Sequence, residues 1–351
     1  MADNQPSETQ TLRAIERLVR ERIPSGWSLR TKREPKRSRR QPDAVWMLSA
    51  PDGETAEFVV EAKRSVMPRD LPDLVQQLRT GAAQPFVAAP YLSPRAQGVL
   101  AETGASFGDT TGNLRLVAER PAIFIERQGA TKDPWPSDET LQSLRGRGAG
   151  RAVRSLVDFR PPFGIRDLAQ RAGVPIGSLS RVVDLLDRDG LVTRTPRGPI
   201  TDVDWAGVIR RWSRDYEFRR ANQVATYLEP RGVGALGTKL WETRLQYAAT
   251  GAYAAQRFSP IAPARVVTVY VTDISTAVDR LGVRPADTGA NLWLAEPFDP
   301  VVFDRTSDRT GLTCVAPSQL AADMLTGPGR EPSEAEELLD WMKKNQDAWQ
   351  T

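Results

Sequence analysis

The sequence predicts an α/β protein built in three parts, and three observations carry that expectation. Apolar residues recur at helical spacing near the N-terminus and then at strand spacing between Ala44 and Ile125. A stretch without periodicity, bearing Gly, Pro and mixed charges, lies at 128–140 and has the composition of a linker. Beyond it the pattern becomes helical, turns on Gly198-Pro199, and then mixes helices with strands. A chain of 351 residues also exceeds what one core supports, because single cores seldom grow past about 250 residues.

The first helix is expected over Ser7–Arg22, with Leu12, Ile15, Leu18, Val19 and Ile23 on one side and Ser7 with Gln10 as a capping box. Strands are expected at Ala44–Leu48, Glu57–Ala62, Pro85–Ala89, Ala105–Phe107, Asn113–Val117 and Ala122–Ile125, with helices at Asp70–Thr80 and Pro94–Thr103 between them. Residues 1–127 thus form a mixed sheet flanked by helices. Residues 141–204 form a small independent module of helices closed by a hairpin. Residues 205–351 form a separate α/β domain, with helices at Trp205–Leu228, Gly237–Ala255, Pro317–Thr326 and Pro332–Gln346 and strands at Val266–Val271 and Asn291–Ala295.

Composition excludes several chemistries. The chain has no histidine, which removes Ser-His-Asp and Cys-His triads, His-metal nucleases and zinc hydrolases together. Its one cysteine, Cys314, has no second thiol for a disulfide or a shared metal, so it is expected simply to be buried. Catalysis, where present, must rest on carboxylates and lysine. No apolar run reaches the roughly 18 residues a membrane span needs, and the N-terminus is polar, so a cytoplasmic, nucleoid-associated protein is expected. The net charge of +4 hides a local run of Arg30, Lys32, Arg33, Lys36, Arg37, Arg39 and Arg40, which suits phosphates or forms a solvated loop.

In the central module, Ile165, Leu168 and Ala169 pack one helix and Gly173-Val174 make a turn. A second helix runs from Gly177-Ser178 to Arg188 with Leu179, Val182, Val183 and Leu186 inward and Ser178, Ser180, Arg181, Asp184 and Arg188 outward. Gly190 ends it, and a two-stranded wing comes next with Arg194 and Arg197 near its tip. Helix, turn, helix and basic wing in that order describe a winged helix-turn-helix, whose second helix enters the major groove of double-stranded DNA. Ser178, Ser180 and Arg181 are the candidates for contacts in the groove, Arg188 lies on the same outward face, and Arg194 and Arg197 are candidates for phosphates. The alternatives for the same pattern are a protein-docking winged helix or one whose polar face is merely solvated.

In the first domain, Pro42-Asp43 opens one apolar strand and the next carries Glu61-Ala62-Lys63. Strand alternation points Glu61 and Lys63 to one face, which Asp43 joins if the two strands pair. Two carboxylates and the Ala62 carbonyl suit Mg²⁺ (or Mn²⁺), whose retained waters serve as nucleophile, and Lys63 would orient or deprotonate that water or offset phosphate charge. The bland alternative is a surface pairing of Glu61 with Lys63. At these residues the chain resembles the PD-(D/E)XK restriction-endonuclease-like superfamily, over roughly residues 5–127. The resemblance implies that Asp43 and Glu61 bind metal, that Lys63 is catalytic, and that Glu16 and Gln76 or Gln77 support them. The segment from Phe107 to Leu114 is expected to be a tight turn.

Residues Tyr247–Gly251 with Ala254-Ala255, Val269–Val271, Pro317–Asp323 and Gly329-Arg330 resemble bacterial type IV antitoxins of the abortive-infection class. That resemblance covers 141–340 and implies an autoregulating repressor paired with a nucleotidyltransferase-like toxin. The chain departs from the simple antitoxin pattern by its added N-terminal domain. The expected function is therefore a sequence-directed DNA-binding regulator, with homodimeric assembly open to it. The alternative is a Mg²⁺-dependent DNA endonuclease targeted by its winged helix.

Overall fold

Ser7 opens the first helix as the sequence predicts. In a computed structural model that describes residues 5–32, 42–135, 143–195, 198–259 and 262–351, its hydroxyl accepts the Gln10 amide at 3.3 Å while the Gln10 side chain accepts the Ser7 amide at 2.8 Å. The chain divides into two compact units, Met1–Thr140 with Arg188–Gly190 and Leu141–Asp187 with Leu191–Thr351.

The first unit holds α1 (Glu8–Arg22), β1 (Ser28–Lys32), β2 (Ala44–Ser49), β3 (Thr55–Ala62), α2 (Leu71–Leu78), β4 (Gln84–Ala89), α3 (Pro94–Glu102), β5 (Ser106–Asp109), β6 (Leu114–Ala118) and β7 (Ile123–Arg127). The strands pair in sequence order into one mixed sheet, parallel at β3/β4 and β4/β5 and antiparallel elsewhere. Alternation along β3 divides its side chains between two cores. Phe58 and Val60 join Trp46, Phe86 and the Ile15 and Val19 of α1, whereas Val59 joins Val87, Phe107 and the helices α2 and α3. Close approach of α1 requires Gly108, where a Cβ would lie 2.7 Å from Ile15 Cγ2. Each expected strand is present. Strand β1 lies outside the expected set, because only Leu29 on it is buried and it carries no apolar period; pairing with β2 creates it.

The expected linker begins anchored. Gly129 N–H donates to Asn113 Oδ1 at 2.7 Å, Asn113 Nδ2 donates to the Ala130 carbonyl, and the Tyr91 hydroxyl donates to that of Thr131. Residues 136–142 lie outside the described residues.

The second unit begins with α4 (Arg147–Val157), α5 (Ile165–Ala172), α6 (Ile176–Arg188) and the hairpin β8 (Val192–Arg194) and β9 (Ile200–Val203), to which Phe163 adds a bridge at Ile200. It continues through α7 (Trp205–Tyr216), α8 (Phe218–Ala221), β10 (Gln223–Leu228), α9 (Val233–Glu242), β11 (Tyr247–Thr250), α10 (Gly251–Ala255), β12 (Val267–Val271), α11 (Ile274–Leu281), β13 (Arg284–Pro285), β14 (Leu292–Glu296), β15 (Ser307–Arg309), β16 (Leu312–Cys314), α12 (Pro317–Leu325) and α13 (Glu331–Lys344). The larger sheet runs β13-β10-β14-β12-β11-β16-β15.

Two expected helices are corrected. The stretch Trp205–Leu228 ends as strand β10, where Val224, Thr226 and Tyr227 pair with β14, and the stretch Gly237–Ala255 contains β11, a four-residue buried strand between β12 and β16. Short apolar runs do not reveal strand or helix by period, so pairing decides. The module expected at 141–204 also shares its core with residues 205–351. One apolar cluster reaches from Leu144 through Leu186 and Trp212 to Trp349. No described helix is long and apolar enough to cross a membrane.

Candidate functional sites

Asp43 stands immediately before β2. Its amide donates to the Val60 carbonyl at 3.0 Å, and its Oδ2 accepts the Ala62 amide at 2.8 Å. The Ala44↔Val60 register, extended one step, sets Asp43 beside Glu61 on the β3 face that bears Val59. Glu61 is buried, and Lys63 Nζ lies 2.6 Å from its Oε1. The three residues therefore gather at one end of β3, with the Lys63 ammonium supplying positive charge against Glu61. On the same face, Arg30, Lys32, Val45, Met47 and Glu57 line a hollow of about 480 Å³.

Hard carboxylate oxygens are a donor set suited to Mg²⁺, but among the described residues no group of three or more Asp, Glu, Cys or His could hold a metal ion. A metal there would need waters or a substrate oxygen to complete its shell. Of the expected supporting residues, Glu16 is not joined to this cluster. It pairs with Arg20 at 2.7 Å and accepts the Thr31 hydroxyl at 2.7 Å, on the α1 layer across the sheet. Gln76 and Gln77 are exposed on α2.

Asp109 illustrates a carboxylate with a structural task. Fully buried, it accepts the amides of Leu92, Thr111 and Asn113 at 2.9–3.0 Å and the side chains of Thr111 and Asn113 at 2.7 Å. That holds the turn between β5 and β6, as expected for this segment.

In the second unit, Gly173 closes α5 in the left-handed region (φ 61°), a conformation that costs glycine no Cβ clash, and α6 starts after two further residues. Leu179, Val182, Val183, Leu185 and Leu186 are buried; Ser178, Ser180 and Arg188 are half-buried, and Arg181 is exposed with its Nε donating to the Gly177 carbonyl at 3.3 Å. Arg194, expected to meet phosphate, is half-buried and pairs with carboxylates of α6. Its Nη2 lies 2.6 Å from Asp184 Oδ1 and 3.2 Å from Asp187 Oδ2. Arg197 lies outside the described residues, as do Arg33, Lys36, Arg37, Arg39 and Arg40. Arg166, exposed on the first turn of α5, is a cation that sequence reasoning passed over. Its signal was its place at the start of the helix preceding α6.

Sequence reasoning also missed a buried polar network. Arg154 Nε bonds Asp158 Oδ2 at 2.8 Å, Asp158 accepts the Ser318 hydroxyl, and Arg154 also donates to Gln319 and to the Val301 and Asp304 carbonyls. Gln319 donates to Asp323 at 2.8 Å, and Asp323 accepts the hydroxyls of Thr250 and Tyr270 at 2.6 and 3.0 Å. Tyr270 meets Tyr216 at 2.8 Å. Burial pushes the Asp323 carboxyl up to about 6, with its hydrogen bonds pulling back, and holds both tyrosines well above their usual range. Burial likewise pushes Glu331 up to about 7, while the Ala252 amide opposes the shift. Cys314 is buried, as expected, and burial pushes its thiol up to about 12.

Comparison with known protein families, with curated proteins and with solved structures finds no match for this chain.

Proposed function

We propose that this protein binds double-stranded DNA in a sequence-directed manner through α6, as a transcriptional regulator of antitoxin-like type. One observation carries the proposal. In the order α5, turn, α6, hairpin, the inner row of α6 is buried while Arg181 is exposed and Ser178 and Ser180 are half-buried at its N-terminal half. Arg166 and Arg181 supply exposed cations, Arg181 for a guanine edge and Arg166 for phosphate. Such a regulator works in the cytoplasm at the nucleoid, and the antitoxin resemblance adds a nucleotidyltransferase-like toxin as partner, which co-purification with a co-expressed toxin of that class would test.

The full chain should be titrated with duplexes selected from a random pool at several salt concentrations. Affinity is expected to fall steeply with salt as counterions are released, and Arg181→Ala to cost about 1–3 kcal/mol on the selected site but little on random DNA. Salt-insensitive or undetectable binding would refute the proposal.

A second reading, a Mg²⁺-dependent endonuclease, is favoured by the gathering of Asp43, Glu61 and Lys63 beside a hollow lined by Arg30 and Lys32. There Asp43 and Glu61 would hold the metal, whose chemistry is to activate water and offset phosphate charge. Lys63 would hold the attacking water or the phosphate. Cleavage of supercoiled DNA with Mg²⁺ or Mn²⁺, compared between wild type and Asp43→Ala, decides it.

A further inference from the structure

A hollow of about 270 Å³ opens within the second unit, between the start of α4, the junction of α7 and α8, and Phe298. Its wall is aromatic: Trp212 stacks on Tyr216 with centroids 5.0 Å apart, and Phe298 meets Tyr216 at 5.0 Å. That wall is firmly held. The Phe298 amide donates to Asn222 Oδ1, its carbonyl accepts Arg147 Nε, and a Cβ at Gly150 would lie 2.9 Å from the Phe298 ring. The Tyr216 hydroxyl is committed to Tyr270 and Asn222, so the wall presents ring surface to the hollow.

Around this wall the lining is cationic. Arg145, Arg147 and Arg220 face Glu217, which lies 3.4 Å from Arg220, and Asp215, whose charge Arg211 offsets. The Arg145 side chain is exposed and has no acceptor among the described residues. Two sets of donors also border the hollow without partners among the described residues. Helix α4, eleven residues long, starts at Gly146 with no side-chain cap among the described residues, and its first amides have no intrahelical acceptor. Trp212 is 1% exposed, lines the hollow, and its indole N–H donates to no group among the described residues. Neither set of donors is sealed from water, so a bound acceptor takes the place of solvent there.

We propose that this hollow is a binding site for a small anion carrying one planar ring, a carboxylate or a phosphate ester. The ring lies against Phe298 and Tyr216, its anionic group meets Arg145, Arg220 and the first amides of α4, and an acceptor atom takes the Trp212 N–H. The volume lies just below the usual range of ligand sites, about 300 to 1,000 Å³, so the ligand is compact. The site is independent of the DNA-binding proposal, although it touches the first helix of the same module.

Isothermal titration of the full chain with benzoate, phenyl phosphate, benzamide and inorganic phosphate tests this. Benzoate or phenyl phosphate should bind one per chain, and which of the two binds distinguishes carboxylate from phosphate ester. Arg145→Gln and Arg220→Gln should each weaken that binding by about tenfold, and benzamide should bind more weakly than benzoate by a similar factor. Both arginines are exposed, so neither variant threatens the fold; Trp212→Phe, which keeps a ring but deletes the N–H, adds a third arm. Binding of inorganic phosphate alone, equal binding of benzamide, affinity unmoved in both arginine variants, or no binding at millimolar concentration would each overturn the proposal.

Discussion

Arg194 Nη2 lies 2.6 Å from Asp184 Oδ1, which ties the hairpin strand β8 back onto α6. Asp187, one turn further along the helix, reaches the same guanidinium at 3.2 Å. The arginine that the sequence assigns to phosphate contact thus also braces the wing. The pair is partly exposed, so its own stabilising effect is small, about 0–1 kcal/mol.

Removing the carboxylate should make that brace a phosphate ligand. Asp184→Asn frees part of Arg194 and deletes a negative charge on the outward face of α6, so affinity for random duplex DNA is expected to rise and the logarithmic salt slope to steepen by about 0.9, one further phosphate. Salt titrations by fluorescence anisotropy measure both, and an unchanged slope would place Arg194 away from the DNA.

The buried pair of Arg154 and Asp158 holds α4 to the rest of its unit, because Arg154 also donates to the Val301 and Asp304 carbonyls. Arg154→Met leaves the Asp158 carboxylate buried without its cation and should destabilise the second unit by about 3–5 kcal/mol in urea titrations. For the same reason a fragment spanning 141–204 is expected to lack a cooperative transition, since it loses the partners of Leu156, Val157 and Arg154.

Glu331 offers a pH signature. Its folded carboxyl is raised to about 7 from an ordinary 4.5, so the folded state holds a proton more tightly than the unfolded state. The stability this gives is fully present below about 4.5 and is lost as pH rises through about 7. Glu331→Gln mimics the protonated form and should match wild type in thermal midpoint at pH 4.5 yet exceed it at pH 8. Asp323, raised to about 6, titrates in the same window and is coupled to Glu331, so the wild-type decline belongs to the pair. Equal midpoints at pH 8 would count against a protonated, buried Glu331.

At Gly108 the space is too small for a methyl group. Gly108→Ala sets a Cβ 2.7 Å from Ile15 Cγ2 and should cost about 1–3 kcal/mol of stability. Shortening the opposing side chain in Gly108→Ala/Ile15→Ala should cost less than the sum of the two single changes, a coupling readable by a double-mutant cycle.

Asp43 can be divided into its structural and chemical parts. Its Oδ2 accepts the Ala62 amide, a bond that Asp43→Asn keeps through its carbonyl oxygen and Asp43→Ala loses, at a cost of about 0.5–1.5 kcal/mol. Thermal unfolding should therefore separate the two variants. Metal-dependent DNA cleavage by wild type that both variants abolish would assign Asp43 a chemical role as well.

Much of the first unit is legible in the order of its residues. Periodicity locates α1 and six strands of the first sheet, because each buries one face and so must repeat its apolar residues at the period of its backbone. The inner row of α6 is legible for the same reason. Strand β1 escapes notice because an edge strand with one buried residue leaves no period, and β10 and β11 read as helix because only partners across a sheet distinguish a short strand.

The sequence by itself determined the absence of histidine chemistry, the alternation that sends Glu61 and Lys63 to one face, and the inward and outward rows of α6. These are local properties, set by residue type and backbone period. Only the tertiary structure decided that Arg194 belongs to Asp184 and Asp187, that Glu16 belongs to Arg20 and Thr31, and that residues 143–195 share a core with the remainder of the second unit. The network from Arg154 to Tyr270 joins residues far apart in sequence, such as Asp158 and Ser318, and the aromatic hollow joins Gly146, Trp212 and Phe298. Ion pairs, buried networks and hollows depend on which distant atoms come within a few ångströms, and no spacing along the chain encodes that directly.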